Sequence, residues 1–208
     1  QNNYLNALSG ENNNYFIPIS EVEANYKNIK ESFGGGAYTK TNSSSQAYIE
    51  YTFTVLNDNP IYAFFKSNNK KRAEIYINGS YAGLYNTTES YCIINVGSFD
   101  ANQKVTIRLN LLENDIYIDN VFVYALDINK FSETLSKLKA GGLNISDFSD
   151  TRITGQVNVE SDKLLYTTIP YEDGWKAYVD GKQVKTEKVN NLMLAVSLEP
   201  GNHQIVLK

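Results

Sequence analysis

Alternating apolar and polar positions dominate the chain between residues 47 and 126. From Ala47 to Val55 the apolar side chains occupy every second position, which is the two-residue period of a half-buried β-strand. Similar runs follow at residues 61–65, 73–77, 90–96, 105–111 and 116–126, and turn-forming residues separate them at 57–60, 78–79 and 100–102. Several short strands with turn signals at this spacing predict a β-sandwich.

Two stretches depart from this alternation and have the spacing of α-helices. The first begins at Ser20, which forms a capping-box pattern with Glu23, and its apolar residues recur every three or four positions up to Phe33 and the glycines at 34–36. We therefore expect a short surface helix after Ser20. The polar, Asn-rich segment before it is expected to contribute only a loose strand around Phe16.

The second helical pattern begins at Asp127, a good N-cap residue, and its apolar side chains line one face at residues 128, 131, 135 and 138. Gly141 and Gly142 are expected to end this helix, with Leu143 closing a Schellman motif. Strand patterns resume at residues 152–159, 163–169, 175–179, 183–189, 192–198 and 203–207. The sequence thus predicts an all-β chain, with a jelly-roll-like β-sandwich over residues 1–126. A linker helix and a smaller antiparallel β-domain follow over residues 127–208.

The single tryptophan of the chain, Trp175, lies just before a predicted hairpin turn at Asp180 and Gly181. Asp-Gly is a favoured two-residue turn, and it places Trp175 on the same face as Ala177, toward the core. We therefore interpret Trp175 as a core residue. A sugar-stacking surface shared with Tyr171 is the alternative.

Composition argues against several kinds of partner and site. A net charge of −4 and a pI near 5.1 argue against a nucleic-acid partner. A single His, His203, and a single Cys, Cys92, argue against a histidine-based metal centre or a catalytic triad and exclude an internal disulfide framework. No apolar run approaches the ~18 residues of a membrane span. Because the chain begins with Gln1 rather than Met, we expect a soluble piece of a longer protein.

Five residues are candidate glycan contacts. Tyr81 and Tyr85 follow a predicted hairpin turn and are expected to be exposed, and Tyr171, Glu172 and Asp173 share a loop of the second domain. Two adjacent carboxylates on one turn do not flank a scissile bond, since a glycosidase needs carboxyl groups roughly 5 to 9 Å apart across a cleft. We therefore predict no catalytic residue in this chain.

Charged residues form two further features. Lys66, Lys70, Lys71 and Arg72 make a basic cluster, which we interpret as a solvated loop that protects strand edges; contact with an anionic envelope polymer or lipid headgroup is the alternative. Asp119 begins the last strand of the sandwich, in a segment that resembles the terminal strand of galactose-binding-like jelly rolls. In that fold, common among carbohydrate-binding modules, acidic residues can hold a structural Ca²⁺. The favoured interpretation of Asp119 is a turn-forming residue, without a cofactor.

A set of residues in the C-terminal part points to a known family. It comprises the segments 169–171, 174–175 and 179–181, then Val184, Leu198, Gly201, His203 and Ile205, together with the helix from Asp127 to Leu138 and the segment 148–151. These residues resemble the C-terminal extracytoplasmic region of the YfhO family of bacterial membrane proteins. The resemblance covers residues 115–208, and the sandwich before it agrees in kind of fold rather than in motif.

The resemblance implies a non-catalytic extracytoplasmic domain of a polytopic membrane protein similar to lipid-carrier-dependent glycosyltransferases, some of which are linked to decorating teichoic acid with sugar. The chain is then expected on the outer face of the bacterial membrane, tethered by transmembrane segments outside this sequence. Its expected partners are cell-envelope glycan or teichoic acid and the transmembrane part of the same protein. The catalytic carboxylates of the family map onto none of these residues. The alternative is a stand-alone secreted carbohydrate-binding or adhesive β-sandwich module.

Overall fold

The computed structural model describes residues 2–32, 35–67, 71–86 and 92–208. The chain divides into two compact units, Gln1–Ser132 and Glu133–Lys208. Up to residue 126 the elements are α1 (Asn2–Ser9), β1 (Phe16–Pro18), β2 (Val22–Lys27), β3 (Ile29–Glu31), β4 (Ala37–Lys40), β5 (Tyr48–Thr54), β6 (Ile61–Lys66), β7 (Arg72–Ile77), β8 (Ser80–Asn86), β9 (Ile94–Gly97), β10 (Lys104–Leu111), β11 (Asp115–Tyr117) and β12 (Asn120–Leu126). After them come α2 (Ile128–Ala140), β13 (Asn144–Ser149), β14 (Arg152–Val159), β15 (Lys163–Pro170), β16 (Ala177–Val179), β17 (Lys182–Val184), β18 (Glu187–Val189), β19 (Met193–Leu198) and β20 (Gly201–Leu207).

The first unit is a β-sandwich, and the all-β class predicted from the alternation is confirmed. Sheet I has the strand order β1-β12-β6-β9, sheet II the order β2-β5-β10-β7-β8, and a small sheet III the order β11-β4-β3. Apolar side chains from sheets I and II meet in one core. In its centre Phe65 of β6 packs on Tyr51 of β5, with ring centroids 5.3 Å apart.

The helix α1 is absent from the sequence prediction, because asparagine is a poor helix former and this segment is rich in it. The helix is held by one side chain and by a small cluster. The Asn2 Oδ1 atom accepts hydrogen bonds from the backbone N–H groups of Tyr15 (3.0 Å) and Phe16 (2.8 Å). Leu5 packs with Tyr15 and Leu126 in a second hydrophobic cluster. This packing fixes α1 beside sheet I.

The helix predicted after Ser20 is wrong, because this segment forms β2 and β3. Strand β2 pairs antiparallel with β5, and Val22 lies opposite Phe53. Asn28 adopts a φ of 53° between the two strands, a left-handed conformation that ends β2 and that an α-helix does not tolerate. Its side-chain amide donates to the backbone oxygen of Asn42 (2.8 Å), which holds this bend. Phe33 and Gly34 of the predicted helix lie outside the described residues.

The helix predicted from Asp127 is present as α2. The Asp127 Oδ1 atom accepts a hydrogen bond from the Lys130 backbone N–H (3.1 Å), as an N-cap should. The predicted Schellman motif is wrong, since neither Gly141 nor Gly142 has a positive φ. The Gly142 N–H instead donates to the Lys139 carbonyl (3.0 Å), which ends the helix in a tighter turn.

The second unit contains sheet IV, with the order β13-β14-β20-β16-β17, and sheet V, with the order β15-β19-β18. The predicted hairpin is confirmed: Ala177 pairs with Val184, and Asp180 and Gly181 have φ values of 51° and 78°. Trp175 lies before β16 and is half-buried against the core of this unit. The hairpin pairing ends at Ala177 and Val184, so Trp175 lies outside the paired residues.

Candidate functional site

An open groove of about 590 Å³ lies on the outer face of sheet I, beside the start of α1. Its floor is made by side chains of β6 and β12 that alternate with the core residues of these strands and therefore point away from the core. Five aromatic rings line it: Phe16, Tyr62, Phe64, Phe122 and Tyr124. We call this surface the aromatic groove.

Strand pairing fixes the rings of the aromatic groove. Phe122 lies directly opposite Phe64 and Tyr124 opposite Tyr62 in the antiparallel pair β12 and β6. The Phe64 and Phe122 rings have centroids 6.1 Å apart and planes 13° apart, so the two rings stack nearly parallel to each other. Phe16 meets Tyr62 edge-to-face at 6.2 Å. Half-buried rings held in this way are ordered before a ligand arrives, which lowers the entropic cost of binding.

The rim of the aromatic groove is polar but carries no ionised group among its described residues. The Asn2 amide is already bonded to the backbone at residues 15 and 16, whereas Asn3 is exposed. Ile93 is 53% exposed and adds an aliphatic wall. An uncharged aromatic surface with an amide at its edge suits a ligand that has one apolar face and hydroxyl groups around it.

Sequence reasoning did not identify the aromatic groove, although its signal is present. The runs at 61–65 and 121–126 are apolar at successive positions, so that Tyr62 and Phe64 fall between core residues. A strand with one solvated face normally alternates with polar residues there. Large aromatic residues on both faces therefore mark an outer face that is covered or binds something.

The two tyrosines predicted on β8 lie on opposite faces of sheet II. Tyr81 is 60% exposed, and its ring meets Tyr76 edge-to-face at 5.5 Å. The expectation that Tyr85 is exposed is wrong, because it is 2% exposed and belongs to the core. Its hydroxyl donates to the Phe65 carbonyl oxygen, and burial raises its pKa to about 12. A register shift between Ile75 and Tyr76 places the two tyrosines on different faces despite their even spacing.

The second-domain candidates stay together on one loop. Glu172 and Asp173 are exposed, and the Glu172 carbonyl oxygen accepts a hydrogen bond from the Trp175 N–H (3.1 Å). Tyr171 packs against the core of this unit, with the Lys188 ammonium 5.5 Å from its ring centroid. A ring engaged on both sides offers little surface for stacking, so this loop is a weaker candidate than the aromatic groove.

The described members of the basic cluster each pair with a carboxylate. Lys66 contacts Asp119 at 2.8 Å, Lys71 contacts Asp115 at 3.0 Å, and Arg72 contacts Glu113 at 3.0 Å; Lys70 lies outside the described residues. The Lys66 ammonium lowers the pKa of Asp119 by a charge-assisted hydrogen bond. In the part of the chain that the structure describes, no cluster of three His, Cys, Asp or Glu residues is arranged to hold a metal ion.

The single histidine is held in the second unit. The His203 Nδ1 atom lies 2.7 Å from Asp180 Oδ2, and its Nε2 atom lies 2.9 Å from the Glu199 carbonyl oxygen. The carboxylate and then the carbonyl raise the pKa of His203, while His203 and the Gln204 N–H lower the pKa of Asp180. This pair ties the turn of the β16–β17 hairpin to β20.

The family model for "Bacterial membrane protein YfhO" matches residues 1–208. The chain belongs to the YfhO family. It is 23% identical over 101 residues to the YfhO protein of Bacillus subtilis (strain 168), and this match takes in 49% of the chain and 12% of the relative. The matched part is thus a small fraction of that relative's length. Neither described helix has the length and apolar character needed to cross a membrane.

Solved structures share only a general likeness with the chain. A family 35 carbohydrate-binding module from Clostridium thermocellum has a TM-score of 0.34 and 13% identity, covering 53% of this chain and 96% of the module. The apo structure of a β-glucuronidase from Ruminococcus gnavus has a TM-score of 0.32 and 10% identity, covering 80% of this chain and 30% of the enzyme. Scores of this size carry no conclusion about a ligand.

Proposed function

We propose that this chain is a non-catalytic extracytoplasmic module of a YfhO membrane protein, and that it holds a cell-envelope glycan through the aromatic groove. Membership in a family of bacterial membrane proteins supports the attachment to a membrane protein. The aromatic groove supports the binding role, and it is the observation on which the proposal rests. The module's task is to keep the acceptor glycan near the membrane-embedded part that modifies it.

The chemistry of the aromatic groove favours a sugar. A pyranose ring has an apolar face of C–H groups, which packs well on aromatic rings such as those that line the groove. Its hydroxyl groups stay near the edge, where the exposed Asn3 amide can donate and accept hydrogen bonds. The phosphate groups of a teichoic acid backbone find no cation among the described lining residues. The sugar substituents of such a polymer are therefore the proposed contact.

The glycosyltransferase-like activity is proposed for the membrane-embedded part and not for this chain. The described lining of the aromatic groove contains no carboxylate that could act as an acid or a base. Binding without turnover is therefore the expected behaviour of the isolated chain. A stand-alone secreted module would bind in the same way, so the two alternatives differ only in what the groove is attached to.

Calorimetry on the isolated chain tests the proposal. We would titrate it with a glycosylated teichoic acid and with the same polymer stripped of sugar. The glycosylated polymer should bind, and Phe122→Ala should weaken binding by about tenfold because one of the two stacked rings is lost. Phe148→Ala is the matched control, since Phe148 is 68% exposed but belongs to the other unit.

Circular dichroism and thermal melting would verify that both variants fold. Two results would contradict a glycan site in the aromatic groove. One is that the polymer stripped of sugar binds as well as the glycosylated polymer, and the other is that Phe122→Ala leaves binding unchanged.

A further inference from the structure

The outer face of sheet II carries two rows of polar and aromatic side chains. Strand pairing sets both rows, since paired residues of neighbouring strands project to the same face. Tyr48, Asn110 and Glu74 make the first row, and Glu50, Arg108, Tyr76 and Tyr81 make the second. We call these seven residues the sheet II platform. It lies on the other main sheet from the aromatic groove.

One acceptor of this platform lacks a donor. Asn110 is 6% exposed, and its Nδ2 atom donates to Glu74 Oε2 (3.4 Å). An ionised carboxylate can only accept, so this bond fixes which end of the amide is Nδ2. The Asn110 Oδ1 atom is buried and has no hydrogen-bond partner among the described residues. Buried polar atoms are nearly always paired in native proteins, so this one needs an explanation.

Glu74 and Tyr76 surround that amide with further acceptors. The Tyr76 hydroxyl donates to Glu74 Oε2 (3.2 Å), the same oxygen that accepts from Asn110 Nδ2. Both of these donors are uncharged. Burial, followed by the Glu74 carboxylate, raises the pKa of Tyr76, and a hydrogen bond with the Asn110 side chain opposes the rise. The Tyr76 hydroxyl thus has Asn110 as a second neighbour. Together these three side chains offer more acceptors than donors and carry one negative charge.

Arg108, the one cation among the platform residues, is already paired with a carboxylate. Arg108 donates to Glu50 Oε2 through Nε at 2.8 Å, and its Nη2 atom lies 2.8 Å from the same oxygen. Its guanidinium also lies over the Tyr48 ring, 4.4 Å from the centroid. No cation among the seven platform residues pairs with Glu74, so its negative charge remains for a ligand.

An exposed ring contacts Tyr76, the residue bonded to this charge. Tyr81 is 60% exposed and is braced edge-to-face against Tyr76, whose hydroxyl reaches Glu74. An aromatic face next to an uncompensated carboxylate is the arrangement that attracts an ammonium group, through the ring quadrupole and through charge-assisted hydrogen bonds. A phosphate or carboxylate ligand would be repelled.

We propose that the sheet II platform binds a primary ammonium group carried by a glycan, with Tyr81 stacking on it and Glu74 accepting its hydrogen bonds. An ammonium that donates to Glu74 competes with the Tyr76 hydroxyl for Oε2. The ammonium can belong to an amino sugar or to an aminoacyl substituent. This inference rests on the proposed function only in that the carrier is an envelope glycan.

The test is a titration of the chain with four probes, monitored by NMR at a pH where amines are protonated. They are a tetramer of glucosamine, the same tetramer fully N-acetylated, alanine methyl ester, and methyl propanoate, which is that ester without its amino group. At least one of the two amines should bind about tenfold more tightly than its uncharged partner. Binding of the glucosamine tetramer alone would identify an amino sugar, and binding of the ester alone an aminoacyl group; either result supports the ammonium site.

Variants locate the binding. Tyr81→Ala and Glu74→Gln should each weaken amine binding by about tenfold, whereas Tyr81→Phe should keep it because the ring remains. Glu160→Gln removes an exposed carboxylate of the other unit and should change nothing. Amine binding that survives Glu74→Gln, or that Glu160→Gln reduces equally, would show diffuse attraction to an acidic protein and overturn the proposal.

The two sites can fail separately. Phe122→Ala should leave amine binding unchanged, and Tyr81→Ala should leave binding of a glycosylated, amine-free polymer unchanged. Loss of amine binding with Phe122→Ala would refute a separate platform site. Equal affinity for the amines and their uncharged partners would refute the platform while leaving the aromatic groove untouched.

Discussion

Phe64 and Phe122 occupy directly paired positions on β6 and β12, and their rings lie nearly parallel, 13° apart, on the outer face of sheet I. The neighbouring positions on the same strands, Phe65 and Val123, point into the core of the sandwich. The two strands are thus apolar on both faces. One face builds the sandwich, and the other builds a surface that can bind a ligand.

Tyr85→Phe should destabilise the first unit. The Tyr85 hydroxyl donates to the Phe65 carbonyl oxygen in the core, and its removal leaves that oxygen without this donor. We expect a loss of about 1–2 kcal/mol in the free energy of unfolding, measured by urea denaturation. Tyr81→Phe is the control, because the Tyr81 ring is largely exposed, and it should have almost no effect. Equal effects of the two substitutions would contradict the burial of Tyr85.

Gly155→Ala should destabilise the second unit. A Cβ atom at this position would lie 2.6 Å from the Asn144 carbonyl oxygen and 2.9 Å from Leu143 Cγ, so β13 and β14 would have to separate. Overpacking of this kind costs typically about 1–3 kcal/mol. Gly174→Ala is a matched control, since a Cβ there meets no atom within 4 Å. Thermal melting that ranks the two variants in the opposite order would contradict this account.

The His203–Asp180 pair should make stability depend on pH in two directions. The pKa of His203 is raised in the folded state. Its contribution to stability is therefore complete below its unfolded-state pKa of about 6.5, and it is lost as pH rises through its folded-state pKa. The pKa of Asp180 is lowered in the folded state. Its contribution to stability is therefore present above its unfolded-state pKa of about 3.9, and it is lost as pH falls through its folded-state pKa.

Comparing the melting temperature of the wild type with that of His203→Gln checks this pair. The difference should be widest between about pH 4 and 6.5 and should shrink on both sides. Asp162→Asn, a change at an exposed carboxylate of the same unit, should not reproduce this profile. A difference that stays constant with pH would show that the pair does not carry a charge-dependent interaction.

Calcium should not stabilise the first unit through Asp119. The Asp119 carboxylate is held by Lys66 at 2.8 Å, and a cation would have to displace that ammonium. We expect the melting temperature to be the same with calcium and with a chelator. Lys66→Ala frees the carboxylate and provides the comparison. A rise of the wild-type melting temperature on adding calcium would restore the calcium site considered from the sequence.

The sequence predicted the parts of the fold that depend on local pattern. The sandwich follows from alternation, α2 from its N-cap and apolar face, and the second-unit hairpin from Asp180 and Gly181. The region after Ser20 was predicted wrongly because helical spacing and a capping box competed with pairing to β5. That pairing is a tertiary interaction which no local pattern contains.

The candidate sites show the same division. Tyr81 was predicted to be exposed and is, whereas Tyr85 is buried because a register shift in the β7–β8 pair changes the face of its neighbours. The aromatic groove depends on which strands become neighbours in sheet I, and β6 and β12 are far apart in sequence. Only the apolar residues on both faces of these strands indicated it in advance.

The most direct test of the aromatic groove is to map glycan binding on the isotope-labelled chain by NMR. With a glycosylated, amine-free teichoic acid, we predict that the largest chemical-shift changes fall on the amides of residues 62–64 and 122–124, and that residues 145–148 of β13 stay unchanged. Saturable changes confined to the first set would support the glycan site. No change at residues 62–64 and 122–124 while the polymer binds elsewhere, or no binding at all, would contradict it.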